Sequence, residues 1–529
     1  MSGGPGLRAA VTGGLLLGWA TPPAAAPGAE WLVLPALALW FAVASEGRRP
    51  GLHGYLFGCV HMAWFSWSVR HVMLPAYAAI VLVGGLYYLL AARCVRAAPR
   101  GLRGACFGLA VAGSCWLRAS MPEIHYPHGQ PCHSFYEWPV LMRAVAVGGE
   151  PLANALLAWI AAAAVGVWRS WRVATPAWGA AKRRLLGAVA VAVAVVAAGN
   201  AVVFAALRAG AADAERVELL LVEPGYRPDA MLRLPPVQWR AWTERFESER
   251  LVDPTRAALS SSAPVDLVVW PESSVQGFVS ARRVAEGRAS IGLRGLPDTS
   301  ARLLLGANLR RDDRSTPAAF LVDLPRGEVR GYHAKQELVP GGEFLPLLGA
   351  LPAGWSEWLG EQFRAALGAL PDAAPGALRP PLETAGGVPF GALICYDNAF
   401  PGPAARQVAR GARFLVVISN EAWYRGGAEL QQLVAMSVVR ACEGAVPIAR
   451  ATMDGWTVWI DAAGRLQRGL ELDHDTVEGR ARTLRVSVPL GAGKPPLLGW
   501  LRGSSGAASG LLMVAGALLG WGARRRHRS

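Results

Sequence analysis

The chain contains very little lysine. Of its 53 lysine and arginine residues only three are lysines, Lys182, Lys335 and Lys494. Arginine therefore carries the positive charge wherever charge alone is enough. A lysine kept against this bias favours chemistry over a surface charge, because a compact ammonium has a pKa that can shift and can direct one charge at a developing oxyanion. We expect this role for Lys335, which lies in the motif GYHAKQELVPGGEFLP.

A cysteine framework is also missing. The seven cysteines form an odd number without evident spacing, which argues against a domain held together by disulfides. Cys59, Cys94, Cys106 and Cys115 lie in or beside apolar stretches, where a small apolar core residue is the simplest interpretation. Cys395 is different, because it follows an apolar, β-branched run in the motif GALICYDNAF.

Apolar stretches are abundant instead. Hydrophobic residues make up 53% of the 529 residues and the mean hydropathy is +0.27, which indicates a mixed membrane and globular protein. An apolar stretch of about 17 to 25 residues is long enough to cross a bilayer as a helix. We predict eight such spans, near residues 8–25, 31–45, 52–69, 73–92, 102–118, 149–168, 184–207 and 504–522.

The arginines in the short loops predict the orientation. They gather in alternate loops, near 48–49, 93–103 and 169–184, and in the tail 524–528, a pattern typical of the cytoplasmic side. The predicted organisation is a membrane domain over 1–210 with about seven helices, an extracytoplasmic domain over 211–495, and a last helix with a basic cytoplasmic tail over 496–529. Much of the net charge of +15 then reflects topology, and we expect no nucleic-acid partner. As an alternative, the first apolar stretch with the following PPAAAPGA is a cleaved secretory signal.

From about residue 215 the pattern becomes that of a layered α/β domain. Short apolar strands alternate with polar stretches, and helices are predicted over 236–250 and 428–443. Glu272 in VVWPES, Lys335 and Cys395 each follow one of the apolar runs. Reactive side chains at the carboxyl ends of strands converge in one crevice, so we expect these three residues to lie together. Each of them, taken alone, could equally be an ordinary surface or core residue.

The motifs W-P-E-S, K-x-x-L-V-P-x-G-E-x-x-P, I-C-Y-[DE] and I-S-N-x-A-W make the domain resemble the carbon–nitrogen hydrolase, or nitrilase, superfamily. Over essentially its full length the chain resembles the apolipoprotein N-acyltransferase family. The resemblance implies a polytopic α-helical membrane domain of about eight spans and an αββα sandwich with a Glu-Lys-Cys triad. It also implies a bacterial cytoplasmic, or inner, membrane location with the catalytic domain on the periplasmic side.

The activity implied by this resemblance is N-acyl transfer. A phospholipid would donate an acyl chain to cysteine as a thioester, and the α-amino group of a diacylglyceryl-cysteine apolipoprotein would accept it. No cofactor or metal is implied. Two alternatives stay open at the sequence level: a membrane-tethered amidase that hydrolyses a C–N bond with the same triad, and a non-enzymatic membrane protein with a relic domain.

The triad residues have distinct expected roles. Cys395 is the nucleophile and Glu272 its base, because a free thiol is only a few per cent thiolate at neutral pH. Lys335 and the backbone N–H of Tyr396 are expected to form the oxyanion hole. Glu343 matches the second glutamate of the family and would orient the lysine or handle a proton. Asp397 follows the nucleophile where we associate a glutamate with the family.

Tryptophans are the candidate substrate contacts. Trp239 and Trp242 follow the first strand, and Trp423 lies in ISNEAW. Trp355 and Trp358 belong to a long apolar loop between Glu343 and about residue 381. We interpret this loop as a mobile lid that dips into lipid, and the competing interpretation is that it packs on the sandwich as core.

The sequence departs from the family pattern in three places. The first domain strand ends in VEPGYRP where a Gln-Gly-Asn-like turn is expected, Gly341 replaces an aromatic residue, and the outer loop 119–147 is unusual. That loop contains His125, His128, Cys132 and His133. We interpret these as hydrogen-bonding groups at the surface, with a metal site as the alternative.

Overall fold

The computed structural model describes residues 4–173, 178–210, 215–226, 234–261, 263–312, 314–367, 371–425, 427–470, 480–493 and 506–516. The chain divides into two compact units. One unit comprises Met1–Phe204 with Pro496–Ser529, and the other comprises Ala205–Pro495. Each unit is described by itself below.

The first unit is helical. Its longer helices are Gly4–Ala20, Val33–Glu46, Pro50–Phe65, Leu74–Ala97, Arg103–Ser120, Val145–Arg172, Trp178–Gly210 and Gly506–Gly516. Shorter helical turns are Ala29–Leu32, Val69–Val72, Arg100–Leu102, Pro131–Phe135 and Pro139–Met142. Each of the eight stretches predicted as spans therefore contains a helix.

Four helices of the described ranges are clearly long and apolar enough to cross a bilayer. They are Ala29–Glu46, Leu74–Ala97, Val145–Arg172 and Trp178–Arg208. The number of eight crossings thus stays a prediction. Aromatic packing ties the helices together, because the buried Trp40 ring lies 4.7–5.3 Å from the rings of Phe57, Tyr88 and Phe107 on three other helices.

The loop 119–147 was predicted to carry histidines at the surface, but two of them are buried. His128 and His133 are both nearly inaccessible to solvent. His133 Nε2 lies 2.6 Å from Glu150 Oε1, and the backbone N–H of Cys132 donates to Asn154 Oδ1 at 2.9 Å. The surface interpretation of these two histidines was therefore wrong. Across the described part of the chain, no three His, Cys, Asp or Glu side chains are grouped so as to hold a metal ion.

The described residues of the second unit form thirteen strands in two sheets. They are β1 Arg216–Glu223, β2 Leu267–Val269, β3 Phe278–Ser280, β4 Arg302–Arg311, β5 Arg314–Asp323, β6 Val329–Ala334, β7 Leu382–Glu383, β8 Pro389–Ile394, β9 Phe414–Ser419, β10 Ile448–Thr452, β11 Thr457–Ile460, β12 Leu466–Leu470 and β13 Arg482–Pro489. One sheet has the order β13-β1-β2-β4-β5-β6, with β3 beside β4, and the other has the order β12-β11-β10-β9-β8-β7. Strands β1, β2 and β4 are parallel, as are β8, β9 and β10.

Helices cover the outer faces of both sheets. They are Pro236–Phe246, Asp253–Leu259, Ala281–Ala285, Pro401–Ala409 and Glu429–Gly444. Successive side chains of β1 face opposite sides, so that Leu219 packs between the sheets while Leu220 packs with Phe246 beneath the helices. Both faces are buried, as expected for sheets with parallel strands. This arrangement is the predicted αββα sandwich, and both predicted helices are present.

The region between Glu343 and residue 381 differs from its prediction. We expected a loop, but Ala353–Leu367 is a helix of 15 residues. Its Phe363 side chain is buried, whereas Trp355 and Trp358 are 65% and 52% exposed. The high proportion of apolar residues in this segment indicated an interaction surface, but their spacing, which is that of a helix, is the feature that predicts its structure.

Candidate active site

Glu272 lies just beyond the carboxyl end of β2. The chain turns away from the sheet through Trp270 and Pro271, and the Trp270 N–H and Pro271 C=O still bond to the neighbouring strand β4. That strand offers Gly306 at the point of closest approach, where an added Cβ would lie 2.5 Å from the Cα of Glu272. Glycine at this position lets the acidic residue enter the site without steric conflict. Its carboxyl group is almost fully buried.

Lys335 follows β6 and is the buried cation at the centre of the site. Its Nζ donates to Glu272 Oε1 at 3.1 Å and to Glu343 Oε1 at 2.6 Å. Burial alone lowers the pKa of a lysine, but the nearby carboxylates of Glu272 and Glu343 outweigh it and hold the pKa of Lys335 well above its usual value. Lys335 is therefore an ammonium at any pH at which the protein would act.

Glu343 is held by a tight turn. Its Oε2 accepts the backbone N–H of Val339 at 2.8 Å, while its other oxygen accepts from Lys335. Gly341 in this turn has φ = 79°, and its N–H donates to Phe344 O at 2.8 Å. A positive φ suits glycine, which explains why the expected aromatic residue is absent here. Burial raises the pKa of Glu343, and the charge of Lys335 opposes that rise.

Cys395 begins the turn after β8 with a left-handed backbone, φ = 46°. For a non-glycine residue this conformation is uncommon, and it presents the side chain at the strand end rather than along the sheet. The thiol is half-buried. Burial and the negative charge of Glu272 raise the pKa of Cys395 to about 12, although Lys335 acts in the opposite direction. The resting nucleophile is therefore a neutral thiol.

Asp397 joins the nucleophile turn to the lysine turn. Its Oδ1 accepts the N–H groups of Gln336 and Glu337 at 2.9 and 2.8 Å, and its Oδ2 accepts the N–H of Ile394 at 3.1 Å. Burial raises the pKa of Asp397 to about 7, and the three backbone N–H donors limit that rise. Both oxygens of the shorter aspartate side chain thus accept hydrogen bonds, and Asp397 acts as a brace that links the two turns.

Two further groups complete the surroundings of the triad. Tyr396 is buried, with its ring 5.1 Å from the ring of Phe400 and in contact with helix Glu429–Gly444. The backbone N–H of Asn420 donates to Glu272 Oε2 at 2.9 Å. Sequence reasoning missed this contact, although the motif ISNEAW that contains Asn420 was a signal for it.

Behind Asn420 lies a buried ion pair between Glu421 and Arg450. Arg450 also donates to Ser437 Oγ at 2.7 Å. The unusual first strand end carries a similar pair, because the buried Glu223 bonds to Arg482 of β13. Glu421 follows β9 and Arg450 lies in β10, so each pair joins neighbouring strands of one sheet.

The predicted tryptophans differ in their surroundings. Trp242 packs on Tyr226 and Phe246, with ring centroids 4.8 and 5.2 Å apart. Trp239 and Trp423 are partly exposed, and so is the pair Trp355 and Trp358, whose rings meet edge to face at 6.1 Å. Their roles as substrate contacts stay predictions.

Two family models match separate parts of the chain. Residues 230–477 match the family model Carbon-nitrogen hydrolase, and this match includes the segments that carry Glu272, Lys335 and Cys395. Residues 13–163 match the model Apolipoprotein N-acyltransferase N-terminal domain. The chain is therefore similar to carbon–nitrogen hydrolases over residues 230–477 and to the N-terminal domain of apolipoprotein N-acyltransferases over residues 13–163.

Curated apolipoprotein N-acyltransferases are similar to this chain over about half of their length. The apolipoprotein N-acyltransferase of Geobacter metallireducens is 31% identical over 48% of this chain and 46% of its own length. That of Azotobacter vinelandii is 31% identical over 54% of this chain and 51% of its own length. The chain thus spans about half the length of these relatives. A solved amidase from Nesterenkonia sp. is 19% identical over 52% of this chain and 92% of its own, with a TM-score of 0.33.

Proposed function

We propose that this protein transfers an acyl chain from a phospholipid, through a thioester on Cys395, to the N-terminal amine of a diacylglyceryl-cysteine apolipoprotein. The observation that carries the proposal is the placement of the Lys335 ammonium between Glu272 and Glu343 at converging strand ends. The presence of the N-terminal helical domain of the family supports a lipid-soluble donor. A soluble amide substrate would need neither these helices nor an exposed apolar helix on the catalytic unit.

In the first half of the proposed reaction, Glu272 accepts the proton of the Cys395 thiol as sulfur attacks the ester carbonyl carbon. The pKa of about 12 for Cys395 requires that proton removal accompanies the attack, since little free thiolate exists beforehand. Lys335 and the Tyr396 N–H stabilise the oxyanion that forms. The ester C–O bond then breaks, and the lysophospholipid oxygen leaves with the proton from Glu272.

In the second half, the acceptor amine attacks the thioester carbonyl carbon. A carboxylate of the site accepts the amine proton, the C–S bond breaks, and the sulfur regains a proton as the amide forms. Two carboxylates share the charge of Lys335, so that Glu343 keeps the ammonium in place while Glu272 changes its protonation. No electron transfer and no additional group is needed for either half.

The proposal includes the topology. The helical unit crosses the bilayer of a bacterial inner membrane eight times, and the catalytic unit faces the periplasmic side. The helix Ala353–Leu367 then acts as a lid, with Trp355 and Trp358 turned to lipid and Phe363 anchored on the sandwich. Amphipathic aromatic side chains favour the membrane interface, which supports this orientation of the helix.

Intact mass spectrometry of the purified chain tests the proposal. After incubation with phospholipid, the wild type should gain the mass of one acyl chain and Cys395→Ala should gain none. A diacylated lipopeptide should remove the added mass faster than buffer does. Removal by water at the same rate would instead indicate an amidase, and the absence of any adduct on the wild type would contradict acyl transfer through Cys395.

A further inference from the structure

The helical unit contains a cavity lined mainly by arginines, remote in sequence from the catalytic motifs. Its volume is about 350 Å³, and the basic residues that line it are Arg96, Arg100, Arg103 and Arg169. They come from the end of Leu74–Ala97, the following turn, the start of Arg103–Ser120 and the end of Val145–Arg172. Four separate segments of one unit therefore direct positive charge to one place.

The charge in this cavity is far from balanced. Glu46 is the one acidic residue among its lining residues, so four guanidinium groups and one carboxylate leave a net charge of +3. Phe41 and Ser45 complete the lining from helix Val33–Glu46. Guanidinium groups are matched by planar or tetrahedral oxyanions, which they bind through two N–H groups at once. The chemistry of the cavity is that of a phosphate site.

Part of this arginine cluster has a structural explanation. Arg103 donates to Ser45 O at 2.8 Å, and Arg96 approaches the same oxygen at 3.4 Å. Ser45 lies in the last turn of Val33–Glu46, where carbonyl groups lack partners within the helix. These two arginines therefore cap a helix end, and their presence alone would not require a ligand.

The other two arginines have no such task. Arg100 is exposed and makes no hydrogen bond to a described residue. Arg169 pairs with Glu46 at 2.7 Å, but the Glu46 side chain is 61% exposed, and exposed ion pairs contribute little to stability. The cytoplasmic-side bias of arginine accounts for the presence of Arg100 and Arg169 at this end of the helices, but neither that bias nor helix capping accounts for their convergence on one cavity.

We propose that this cavity binds the phosphodiester headgroup of an anionic phospholipid at the arginine-rich end of the helices. Basic cavities between membrane helices are suited to such headgroups, because a lipid is already present at the helix ends and brings its phosphate to that depth. The Phe41 side chain offers an apolar wall on which the glycerol end of the lipid packs. The inference rests on the membrane location in the proposed function, and not on acyl transfer.

The test uses the full chain in detergent with two lipids, phosphatidylglycerol and phosphatidylcholine. Native mass spectrometry should find phosphatidylglycerol retained by the wild type in preference to phosphatidylcholine. The double variant Arg100→Gln/Arg169→Gln should retain at least about tenfold less phosphatidylglycerol than the wild type. The matched control Arg93→Gln/Arg172→Gln removes two exposed arginines from the same end that do not line the cavity, and it should retain lipid like the wild type.

Each result decides the proposal. Equal retention by wild type, double variant and control would overturn it, as would equal loss in variant and control, which indicates only diffuse surface charge. Protection of the wild type against heat by inorganic phosphate, without retention of phosphatidylglycerol, would assign the cavity to a free anion and also overturn it. Thioester formation measured on the same samples reports on the proposed function separately, because Cys395 is unchanged in all of them.

Discussion

At the scale of single residues, the lysine of the site is defined by its enclosure. Lys335 is 1% exposed and bonds to two carboxylates on separate turns. A guanidinium is larger and planar, so an arginine would displace one carboxylate or lose its aim at the oxyanion. The charge matters here through its position, which explains why this arginine-rich chain keeps a lysine.

Lys335→Arg should therefore lose turnover although it keeps the charge. Removal of one oxyanion donor costs about 100- to 1,000-fold in rate, and we expect a loss of this size. Thioester formation followed by intact mass measures it. Lys182→Arg, an exposed lysine of the helical unit, is the control and should react like the wild type. Full activity of the Lys335 variant would exclude the oxyanion role.

Glu272→Gln should separate the reactivity of the thiol from turnover. Burial and the carboxylate of Glu272 together raise the pKa of Cys395 to about 12, so a neutral amide at position 272 should lower that pKa and increase the thiolate fraction at pH 8. Alkylation of Cys395 by iodoacetamide, measured on its peptide, should become faster. Acyl transfer should become slower by about 100-fold or more, because the proton acceptor is gone.

The wild type should show the complementary pH profile in that experiment. Below a pKa of about 12 the alkylation rate of Cys395 should rise about tenfold per pH unit, without the plateau near pH 9 that an ordinary thiol gives. If the glutamine variant loses alkylation and transfer together, Glu272 acts by holding the turn in shape and the assignment as base is wrong.

The residues of the triad could be selected from the sequence because each follows an apolar strand in a distinctive motif. Glu343 was also identified, as a residue that orients the lysine. The motif ISNEAW marked the segment that contains Asn420 but not the partner of its N–H, and the brace formed by Asp397 had no such signal, since both contacts depend on backbone groups brought together from distant parts of the chain. Such contacts leave no pattern in residue type.

At the scale of elements, the site depends on two turns that share one carboxylate. Asp397 bonds to the turn after β8 and to the turn after β6. The strand ends were predictable from alternating apolar runs, but the connection between their turns was not. Helix Ala353–Leu367 shows the same limit, because its apolar residues predicted an interaction surface without predicting that the surface is a helix.

Asp397→Asn should weaken both the fold and the reaction. An amide nitrogen cannot accept a hydrogen bond, so at least one buried backbone N–H loses its acceptor, which costs about 1–3 kcal/mol. The midpoint temperature of thermal unfolding and the rate of thioester formation should both fall. Asp461→Asn is the matched control, because Asp461 Oδ1 accepts two backbone N–H groups at 2.9 and 2.8 Å in the turn after β11. That control should keep its activity, and equal activity loss in both variants would contradict a specific brace.

Trp355→Ser/Trp358→Ser tests the helix as a lipid-facing lid. Both rings are more than half exposed, so their loss should leave unfolding unchanged while the KM for phospholipid rises several-fold. Phe278→Ser removes an exposed aromatic ring from the edge strand β3 and serves as control. A drop in thermal stability of the tryptophan variant with an unchanged KM would favour the competing interpretation of packed core.

At the scale of the whole molecule, the chain combines a helical unit and a sandwich unit. The boundary between them was predicted where long apolar stretches give way to short apolar strands alternating with polar stretches. The sandwich lies between two groups of apolar helices in the sequence, and charge in the loops predicts its side of the membrane. The number of crossings stays a prediction, because four helices of the described ranges are clearly long and apolar enough to cross a bilayer.

Cysteine labelling in whole cells measures this topology. Ser261→Cys, at an exposed position of the sandwich unit, should react with a membrane-impermeant maleimide before lysis. Arg49→Cys, in a basic loop of the helical unit, should react only after lysis. Labelling of both sites in intact cells, or of Arg49→Cys alone, would reverse or break the proposed orientation.

The high pKa of Cys395 should make its thiol slow to oxidise. Because burial and the charge of Glu272 raise the pKa of Cys395 to about 12, the neutral thiol strongly predominates at pH 7. Peroxide oxidation and disulfide exchange both require the thiolate, so the nucleophile is shielded from sulfenic acid formation and from mixed disulfides. In the proposed mechanism the Cys395 thiol loses its proton only as it attacks the substrate, so we expect it to stay reduced in the presence of peroxide or of disulfides.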